Sequence, residues 1–413
     1  MAAWLLALIL AMGVCSLLAL RRPFQTRPLA WFTFFLTSLV NEQPFLTTYA
    51  VVAAGAVAAR DLTAPGALRA AAALAAVAVV GLQAVSLRRA LLARTVLSRA
   101  LYEGLGPGWA REVEAGLLEG ARRRPPLVRL LTLPAPWRPP EVELVPDVRY
   151  AEGGREHLLD VYRHVSRPER APVLVYWHGG AFRSGDKRRE GHALLHHLAS
   201  RGWVCVSANY RLRRQADYPA NQVDAKRVLA WVRAHGRAYG ADPDAVFVAG
   251  GSAGAHMAAM CALTQNDPRF QPGFEEADTS VAGAVALYGY FGPYDWRNAA
   301  SWEPCDPTLP GAPLPTAPLE CDARDAPPFV VVHGSHDGVV PAWTARRFVE
   351  GVRQRSREPV VYAELPGARH AFDALHSLRT EAVIEAVELF AAWVRSRRGR
   401  GAARPQAARA SVR

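Results

Sequence analysis

The stretch AVFVAGGSAG, residues 245–254, joins an apolar run typical of a buried strand to a segment with helical patterning. Two glycines and a serine stand at the join. A serine hydroxyl can be presented on so sharp a strand-to-helix turn only where its neighbours are small, because the backbone there passes close to other chain segments. The pattern indicates a nucleophile, Ser252, supported by Gly250, Gly251 and Gly254, in preference to a glycine-rich turn that serves packing alone.

Short β-branched runs alternate with helical patterns on both sides of this stretch. The alternation is typical of a mostly parallel sheet covered by helices on both faces. Eight strands are predicted, at 142–150, 157–163, 173–177, 204–209, 245–249, 281–288, 329–333 and 360–365. Helices are predicted from apolar spacing at 188–201, 221–239, 252–265, 342–356 and 377–395. These elements predict one α/β catalytic domain over residues 141–396.

A serine hydroxyl of ordinary pKa is a weak nucleophile, so Ser252 requires a histidine as base and an acid that orients the histidine. In a sheet of this kind the acid follows a late strand and the histidine follows the last strand. Asp337 ends the run FVVVHGSHD (329–337), and His370 lies in GARHAF (367–372) after the last predicted strand. We therefore predict these two residues as the acid and the base.

Three neighbouring residues are alternatives that this order disfavours. His333 and His336 precede Asp337 and lie in or beside the strand that carries the acid, so both are expected to be structural. Asp373 lies three residues after His370 and is interpreted as a helix-cap or loop residue.

A second glycine-containing turn, YWHGGAF at 176–182, follows another apolar strand. Acyl transfer builds negative charge on a carbonyl oxygen, and unobstructed backbone N–H groups can stabilise that charge. We predict that the N–H groups of Gly179, Gly180 and Ala253 form this oxyanion hole. His178 is expected to brace the loop.

Composition argues against other classes of function. The net charge of +12 is carried largely by arginine, but the chain has no zinc-finger spacing, RNA-binding signature or basic recognition helix, so no nucleic-acid partner is expected. His192 and His196 are four apart with no acidic residue between them, which favours packing over a zinc site, and no metal is expected. Residues 187–190 are interpreted as a solvated helix start.

Residues 1–89 are predicted to form a membrane-embedded helical region. Apolar stretches cover 4–20, 29–59 and 64–87, and about 20 apolar residues cross a bilayer as a helix, so two or three spans are expected. The first stretch lacks the basic start and cleavage site of a signal peptide. Glu42 interrupts the second stretch and should face protein, water or the interface, with the interface favoured.

The remaining segments complete this organisation. Arginines flank the first and third stretches, and the positive-inside rule then places the catalytic domain in the cytoplasm, at the plasma membrane. Residues 90–140 are predicted to be a helical linker that could cover the active site. Residues 397–413 are predicted to be a disordered basic tail.

Five cysteines are too few for a disulfide framework in 413 residues. Cys15, Cys205 and Cys261 lie in segments with apolar, strand or helix patterning and are predicted to be buried free thiols. Cys305 and Cys321 flank a proline-rich loop and alone look able to meet. A bridge between them would require an oxidising compartment.

Several motifs together resemble the hormone-sensitive-lipase-like branch of bacterial esterases and lipases: HGGAF (178–182), NYRL (209–212), YPA (218–220), GGSAG (250–254), HGSHD (333–337) and ARHAF (368–372). The stretch NDPRFQPGFEE (266–276) and the apolar N-terminus are similar to membrane-associated actinobacterial, particularly mycobacterial Lip-type, carboxylesterases. Two departures concern the substrate pocket: residues 298–326 look short, and Ala255 stands where glycine is frequent.

The resemblance implies an α/β-hydrolase fold and the cleavage of carboxylic esters, including lipid-derived ones, through an acyl-enzyme without metal or organic cofactor. It supports the same triad and oxyanion residues. A thioesterase, amidase or deacetylase would use the same triad and stays an alternative. A catalytically silent membrane protein is disfavoured because nucleophile, acid, base and oxyanion glycines are all present. The sequence leaves the oligomeric state open.

Overall fold

The computed structural model describes residues 1–24, 27–121, 126–132, 137–212, 215, 218–292 and 314–410. The helices are α1 (Ala2–Leu20), α2 (Arg27–Glu42), α3 (Pro44–Arg60), α4 (Gly66–Leu105), α5 (Ala115–Ala121), α6 (Leu127–Thr132), α7 (His192–Ser200), α8 (Ala220–His235), α9 (Ala253–Leu263), α10 (Ala342–Arg355) and α11 (Leu378–Ala410). The strands are β1 (Val142–Arg149), β2 (Leu158–His164), β3 (Ala171–Trp177), β4 (Val204–Ala208), β5 (Ala241–Gly251), β6 (Gly283–Leu287), β7 (Phe329–Gly334) and β8 (Val360–Leu365).

All eight strands form one sheet in the order β1-β2-β4-β3-β5-β6-β7-β8. β2 pairs antiparallel with β1 and β4, and the other pairs are parallel. The prediction of an eight-stranded, mostly parallel sheet is therefore confirmed. The central strands are buried on both faces, which explains why they read as continuous apolar runs in the sequence.

Alternate side chains of each strand enter two separate apolar layers, because the side-chain period of a strand is two. In β3, Leu174 and Tyr176 contribute to the layer under α4, α7 and α11, whereas Val173 and Val175 contribute to the layer under α8, α9 and α10. The sheet is thus covered by helices on both faces. Ser252 follows β5, a strand near the middle of the sheet.

The first and last helices of the catalytic region differ from their predicted bounds. α7 begins at His192 instead of residue 188, because the preceding residues turn inward, as described below. α11 continues to Ala410, through most of the segment predicted to be a disordered tail. Alanine and arginine, which dominate that segment, are strong helix formers.

Among the described residues, α1 to α6 precede the sheet, and the first four of them form the N-terminal region. The apolar stretch 29–59 is divided at Gln43 into α2 and α3, and Pro44 occupies the first turn of α3, where a missing N–H costs nothing. Within the described residues, α1 and α4 are long and apolar enough to cross a membrane, and α3 is a shorter apolar helix. Small side chains bring α1, α3 and α4 together in one cluster of Ala2, Ile9, Val51, Ala54, Ala58, Ala72, Ala76 and Val79.

α4 is a single helix of 40 residues that connects this cluster to the sheet. Its second half buries Ala93, Leu97 and Leu101 in the same apolar layer as Val361 of β8. The predicted boundary at residue 89 therefore lies inside a helix, and the first part of the predicted linker 90–140 belongs to the helical layer that covers the sheet.

Glu42 and Arg379 form a buried ion pair between the N-terminal helices and the catalytic domain. The Arg379 Nη1 to Glu42 Oε1 distance is 3.1 Å, and the two side chains are 0% and 5% exposed. Arg379 also donates to the carbonyl oxygens of Asn41 and Pro366, and Ser377 Oγ donates to Glu42 Oε2. From the sequence, Glu42 could face protein, water or the membrane interface, and the interface was favoured. In the structure it faces protein.

The turn between α2 and α3 also binds both ends of the loop that carries His370. The side-chain amide of Asn41 donates to the carbonyl of Gly367 at 3.1 Å, and that of Gln43 donates to the carbonyl of His376 at 2.6 Å. The position of this loop therefore depends on the N-terminal helices.

We expect Arg379→Met to lower the free energy of unfolding by about 3–5 kcal/mol, because it leaves the Glu42 carboxylate buried without its partner. The double variant Glu42→Leu/Arg379→Met removes both charges and should recover most of this loss. Chemical denaturation of the full chain in detergent measures both effects. A double variant that is as unstable as the sum of the two single variants would contradict a coupled pair.

Candidate active site

Ser252 lies on a strained turn between the end of β5 and the start of α9. Its backbone has φ 55° and ψ −115°, a conformation that non-glycine residues rarely adopt. The Ser252 N–H donates to the carbonyl of Leu287 in β6 at 2.9 Å, which fixes the turn against the neighbouring strand. Strain of this kind persists only where the surrounding structure holds it, and such residues cluster at functional sites.

The glycines around Ser252 are required because a side chain at these positions would clash with neighbouring atoms. A Cβ atom at Gly254 would lie 1.9 Å from the carbonyl oxygen of Trp177, and one at Gly250 would lie 2.3 Å from the backbone of Gly254. Likewise, a Cβ at Gly251 would lie 2.3 Å from the hydroxyl of Tyr288. No larger residue fits at these three positions, as the quoted motif predicts.

Ser252, His370 and Asp337 form one hydrogen-bonded chain. His370 Nε2 lies 3.0 Å from Ser252 Oγ, and His370 Nδ1 lies 2.7 Å from Asp337 Oδ2. The other carboxylate oxygen of Asp337 accepts the N–H groups of Val339 and Val340. All three residues predicted from order and spacing thus meet in space.

The charge state of Asp337 follows from its neighbours. Burial raises the pKa of this carboxyl, but the charge of His370 and a hydrogen bond from His333 outweigh burial and hold the pKa well below its usual range. Asp337 is therefore an anion over the whole neutral range. An anion at this position stabilises positive charge on His370.

The two rival histidines have partners of their own, although His333 Nε2 also lies 3.3 Å from Asp337 Oδ2. His333 Nε2 lies 2.8 Å from the carbonyl oxygen of Val340, and His336 Nδ1 lies 3.0 Å from Ser335 Oγ. Both contacts agree with the structural roles expected for these histidines.

Asp373 lies in the loop between β8 and α11, one of the two positions expected for it, but its side chain has a distant partner. Its carboxylate accepts the Tyr288 hydroxyl at 2.5 Å, and the Tyr288 ring lies 5.0 Å from that of His370. Burial raises the pKa of Asp373 to about 6. Asp373 and Tyr288 are 85 residues apart in the sequence, so no local pattern predicts their contact.

The turn at 178–182 is braced on two sides. His178 Nδ1 lies 2.7 Å from the carbonyl oxygen of Gly179, and its ring stacks on Tyr210 with centroids 4.5 Å apart. Glu190 Oε2 accepts the N–H of Gly179 at 2.7 Å. Gly179 N–H is therefore occupied, contrary to the role predicted for it.

The other two N–H groups predicted as oxyanion donors differ from that of Gly179. Within the described part of the chain, the N–H groups of Gly180 and Ala253 donate to no acceptor. Gly179 still matters for space, because a Cβ there would lie 3.1 Å from the Cβ of Ser252. A glycine at 179 therefore keeps the turn from crowding the serine.

The interpretation of residues 187–190 as a solvated helix start is wrong for Lys187 and Glu190, whereas Arg188 and Arg189 are exposed. Lys187 is buried, and its ammonium group contacts the carboxylates of Asp147 and Asp160. Glu190 is half-buried against the 178–182 turn, and burial raises the pKa of its carboxyl. Both side chains point inward to partners that are distant in sequence, so neither was detectable from local patterning.

Two aromatic residues of α2 complete the surroundings of His370. The ring centroids of Trp31 and Phe34 each lie 6.3 Å from the imidazole centroid, and both pairs are edge-to-face. No local pattern in residues 29–59 indicates that this apolar stretch approaches the candidate active site.

The histidine, acidic and cysteine side chains have the following arrangement. Among the described residues, no cluster of histidine, cysteine, aspartate and glutamate side chains could hold a metal ion. Cys205 and Cys261 are buried free thiols as predicted, and Cys15 is half-buried. Cys321 Sγ lies 3.7 Å from Met260 Sδ. The predicted pairing with Cys305 falls outside the described residues.

Comparison with known proteins supports the resemblance stated above. The family described as BD-FAE matches residues 159–351. The probable carboxylic ester hydrolase LipM of Mycobacterium tuberculosis is 42% identical over 321 residues, which cover 71% of each chain. The chain belongs to the hormone-sensitive-lipase-like esterase family.

A second curated relative is similar to the same extent, and the solved structures are more distant. Esterase LipQ of Mycobacterium tuberculosis is 40% identical over 316 residues, 72% of this chain and 74% of that one. Among solved structures, the apo form of Thermogutta terrifontis esterase 2 is 23% identical with a TM-score of 0.48, over 60% of this chain and 91% of that one. The matched region of LipM and LipQ is long enough to cover the catalytic domain and part of the preceding helices.

We expect Glu190→Leu to lower kcat for p-nitrophenyl butyrate about 10- to 100-fold with little change in KM, because Gly179 N–H loses its acceptor and the turn beside Ser252 loosens. Glu190→Gln retains an acceptor oxygen and should stay within about threefold of the parent. Steady-state kinetics of both variants check this. Equal losses in the two variants would show that the charge, and not the hydrogen bond, is what matters.

Asp373→Asn should change the pH dependence of stability. The folded-state pKa of about 6 lies above the ordinary value of 3.8, so the folded protein binds this proton more tightly than the unfolded chain. The ionised carboxyl therefore destabilises the fold at neutral pH, and the penalty disappears as pH falls from about 6 to 4. We expect the melting temperature of the variant, relative to the parent, to rise with pH across this window. A difference that is independent of pH would refute the shift.

Proposed function

We propose that this protein is a serine carboxylester hydrolase that cleaves acyl esters through an acyl-enzyme intermediate. The observation that carries the proposal is the continuous hydrogen-bonded chain from Ser252 Oγ through His370 to Asp337. Membership of the esterase family and the strained turn at Ser252 support the same chemistry.

Each residue of the chain has a separate task. His370 Nε2 accepts the Ser252 proton as Oγ attacks the ester carbonyl carbon, and the imidazolium then returns that proton to the leaving alcohol. Water attacks the resulting acyl-serine with His370 again as the base, and the carboxylic acid departs. Asp337 remains ionised throughout and holds His370 in the tautomer with a proton on Nδ1.

The oxyanion of both tetrahedral intermediates requires preorganised donors. We propose the N–H groups of Gly180 and Ala253 for this role, since both are free of other acceptors within the described residues. Gly179 acts instead by leaving space beside Ser252, and Glu190 and His178 hold the turn. This chemistry uses only side chains and backbone N–H groups.

We propose that the substrate is a lipid-derived ester and that the N-terminal helices hold the enzyme at a membrane. α1 and α4 have the length and composition of spans, and arginines follow the apolar half of α4. The positive-inside rule then favours a cytoplasmic catalytic domain at the plasma membrane. Thioesters and amides would use the same triad, and a panel of acyl donors separates them from esters.

Ser252→Ala should abolish labelling by a fluorophosphonate probe and reduce hydrolysis of p-nitrophenyl butyrate at least about a thousandfold, because no other hydroxyl takes the place of the nucleophile. Ser166→Ala, at an exposed serine, is the matched control and should keep full activity. Mass spectrometry locates the adduct. Labelling of Ser252 without ester turnover would favour thioesters or amides, and folded, unlabelled parent protein would indicate a catalytically silent protein.

A further inference from the structure

α2 buries its polar residues and exposes its apolar ones, which is the reverse of a surface helix in a soluble protein. Thr33, Thr37 and Asn41 recur every four residues, so they share one face of the helix, and they are 3%, 0% and 1% exposed. The threonine hydroxyls donate to backbone carbonyls of the preceding turn, and Asn41 binds the catalytic domain. The polar residues of α2 thus face the protein.

The opposite face of α2 is made of large apolar side chains. Phe32 and Phe35 are 62% and 71% exposed, and three leucines extend the face: Leu29, Leu36 and Leu39. A soluble protein rarely exposes so large a contiguous apolar patch. α2 packs beside α1 and α3, and α1 is long and apolar enough to cross a membrane. Because the patch continues the apolar surface of these helices, its natural surroundings are lipid acyl chains.

Trp31 and Phe34 lie between the apolar face of α2 and the catalytic histidine. Their rings meet the His370 imidazole edge-to-face at 72° and 76°, and Trp31 is 40% exposed on its other side. The start of α2 is fixed beside the acid as well, because a Cβ at Gly338 would lie 3.3 Å from the Cβ of Ala30. The two rings therefore connect the exposed apolar side of the helix with His370.

We infer that α2 is the entrance through which an ester reaches Ser252 directly from the bilayer, and that Trp31 and Phe34 select substrates with a long hydrophobic chain. The inference rests on the proposed ester hydrolysis and names its substrate class: a membrane-embedded acyl ester whose chain stays in apolar surroundings while its carbonyl meets the serine. In this arrangement the two rings contact the first carbons of the acyl chain. Loss of either ring removes apolar contacts with the substrate and so lowers kcat/KM.

The test uses the full chain in phosphatidylcholine vesicles with two probes, p-nitrophenyl acetate and p-nitrophenyl dodecanoate. Trp31→Ala and Phe34→Ala should each lower kcat/KM for the dodecanoyl ester about tenfold or more and that for the acetyl ester less than about threefold. Phe32→Ala is the matched control on the same helix, since its ring does not contact His370, and it should leave the ratio of the two kcat/KM values unchanged.

The outcomes separate this inference from the proposed function. Equal losses on both esters would mean that the rings only position His370, and unchanged ratios would mean that the chain binds elsewhere; either result overturns the entrance. Fluorophosphonate labelling of Ser252 at the parent rate in the same variants shows that the esterase itself is intact. Absence of labelling and turnover in the parent protein would instead refute the proposed function.

A second experiment identifies what covers the exposed face of α2. Phe32 is replaced by p-benzoylphenylalanine in the vesicle-bound chain and irradiated. A mass increase of one lipid molecule supports the entrance. A covalent dimer would show that a second copy of the chain covers this face, which overturns it.

Discussion

The backbone at Ser252 is the constraint on which the rest of the catalytic domain depends. A non-glycine residue at φ 55° is unfavourable, and it is held there by β5, by the Leu287 carbonyl of β6 and by α9 pressed against the end of β3. The close approach of Gly254 to the Trp177 carbonyl sets the distance between Ser252 and the turn at 178–182. The glycines at positions 250, 251 and 254 and the packing of α9 against the end of β3 are needed to present one hydroxyl in this way.

A second dependence links the triad to the chain's first quarter. The loop of His370 is held at both ends by the α2–α3 turn and by the buried Glu42–Arg379 pair. A buried pair of this kind contributes little net stability compared with apolar packing, but each partner strongly requires the other. The N-terminal helices therefore help to position the loop of His370 through specific polar contacts. They do more than attach the domain by a covalent link.

The sequence was informative wherever function required a local pattern. Strand positions followed from β-branched runs, and Ser252, Asp337 and His370 followed from their order relative to those strands. The contacts of Glu190, Asp373 and Trp31 were not predicted. Each residue contacts a partner that is distant in the sequence, and a single carboxylate or aromatic residue does not indicate which partner it will have. Glu42 was correctly seen as costly in lipid, but its arginine lies 337 positions away.

The continuous helix α4 has a mechanical consequence. Its 40 residues span about 60 Å, with the first half packed among apolar helices and the second half in the layer that covers the sheet. Under the proposed attachment to a membrane, the second half of α4 is a rigid connection that fixes the height and tilt of Ser252 relative to the lipid. The same proposal implies that the enzyme meets its substrate by diffusion in two dimensions, so that turnover depends on the surface density of ester in the leaflet and not on its concentration in solution.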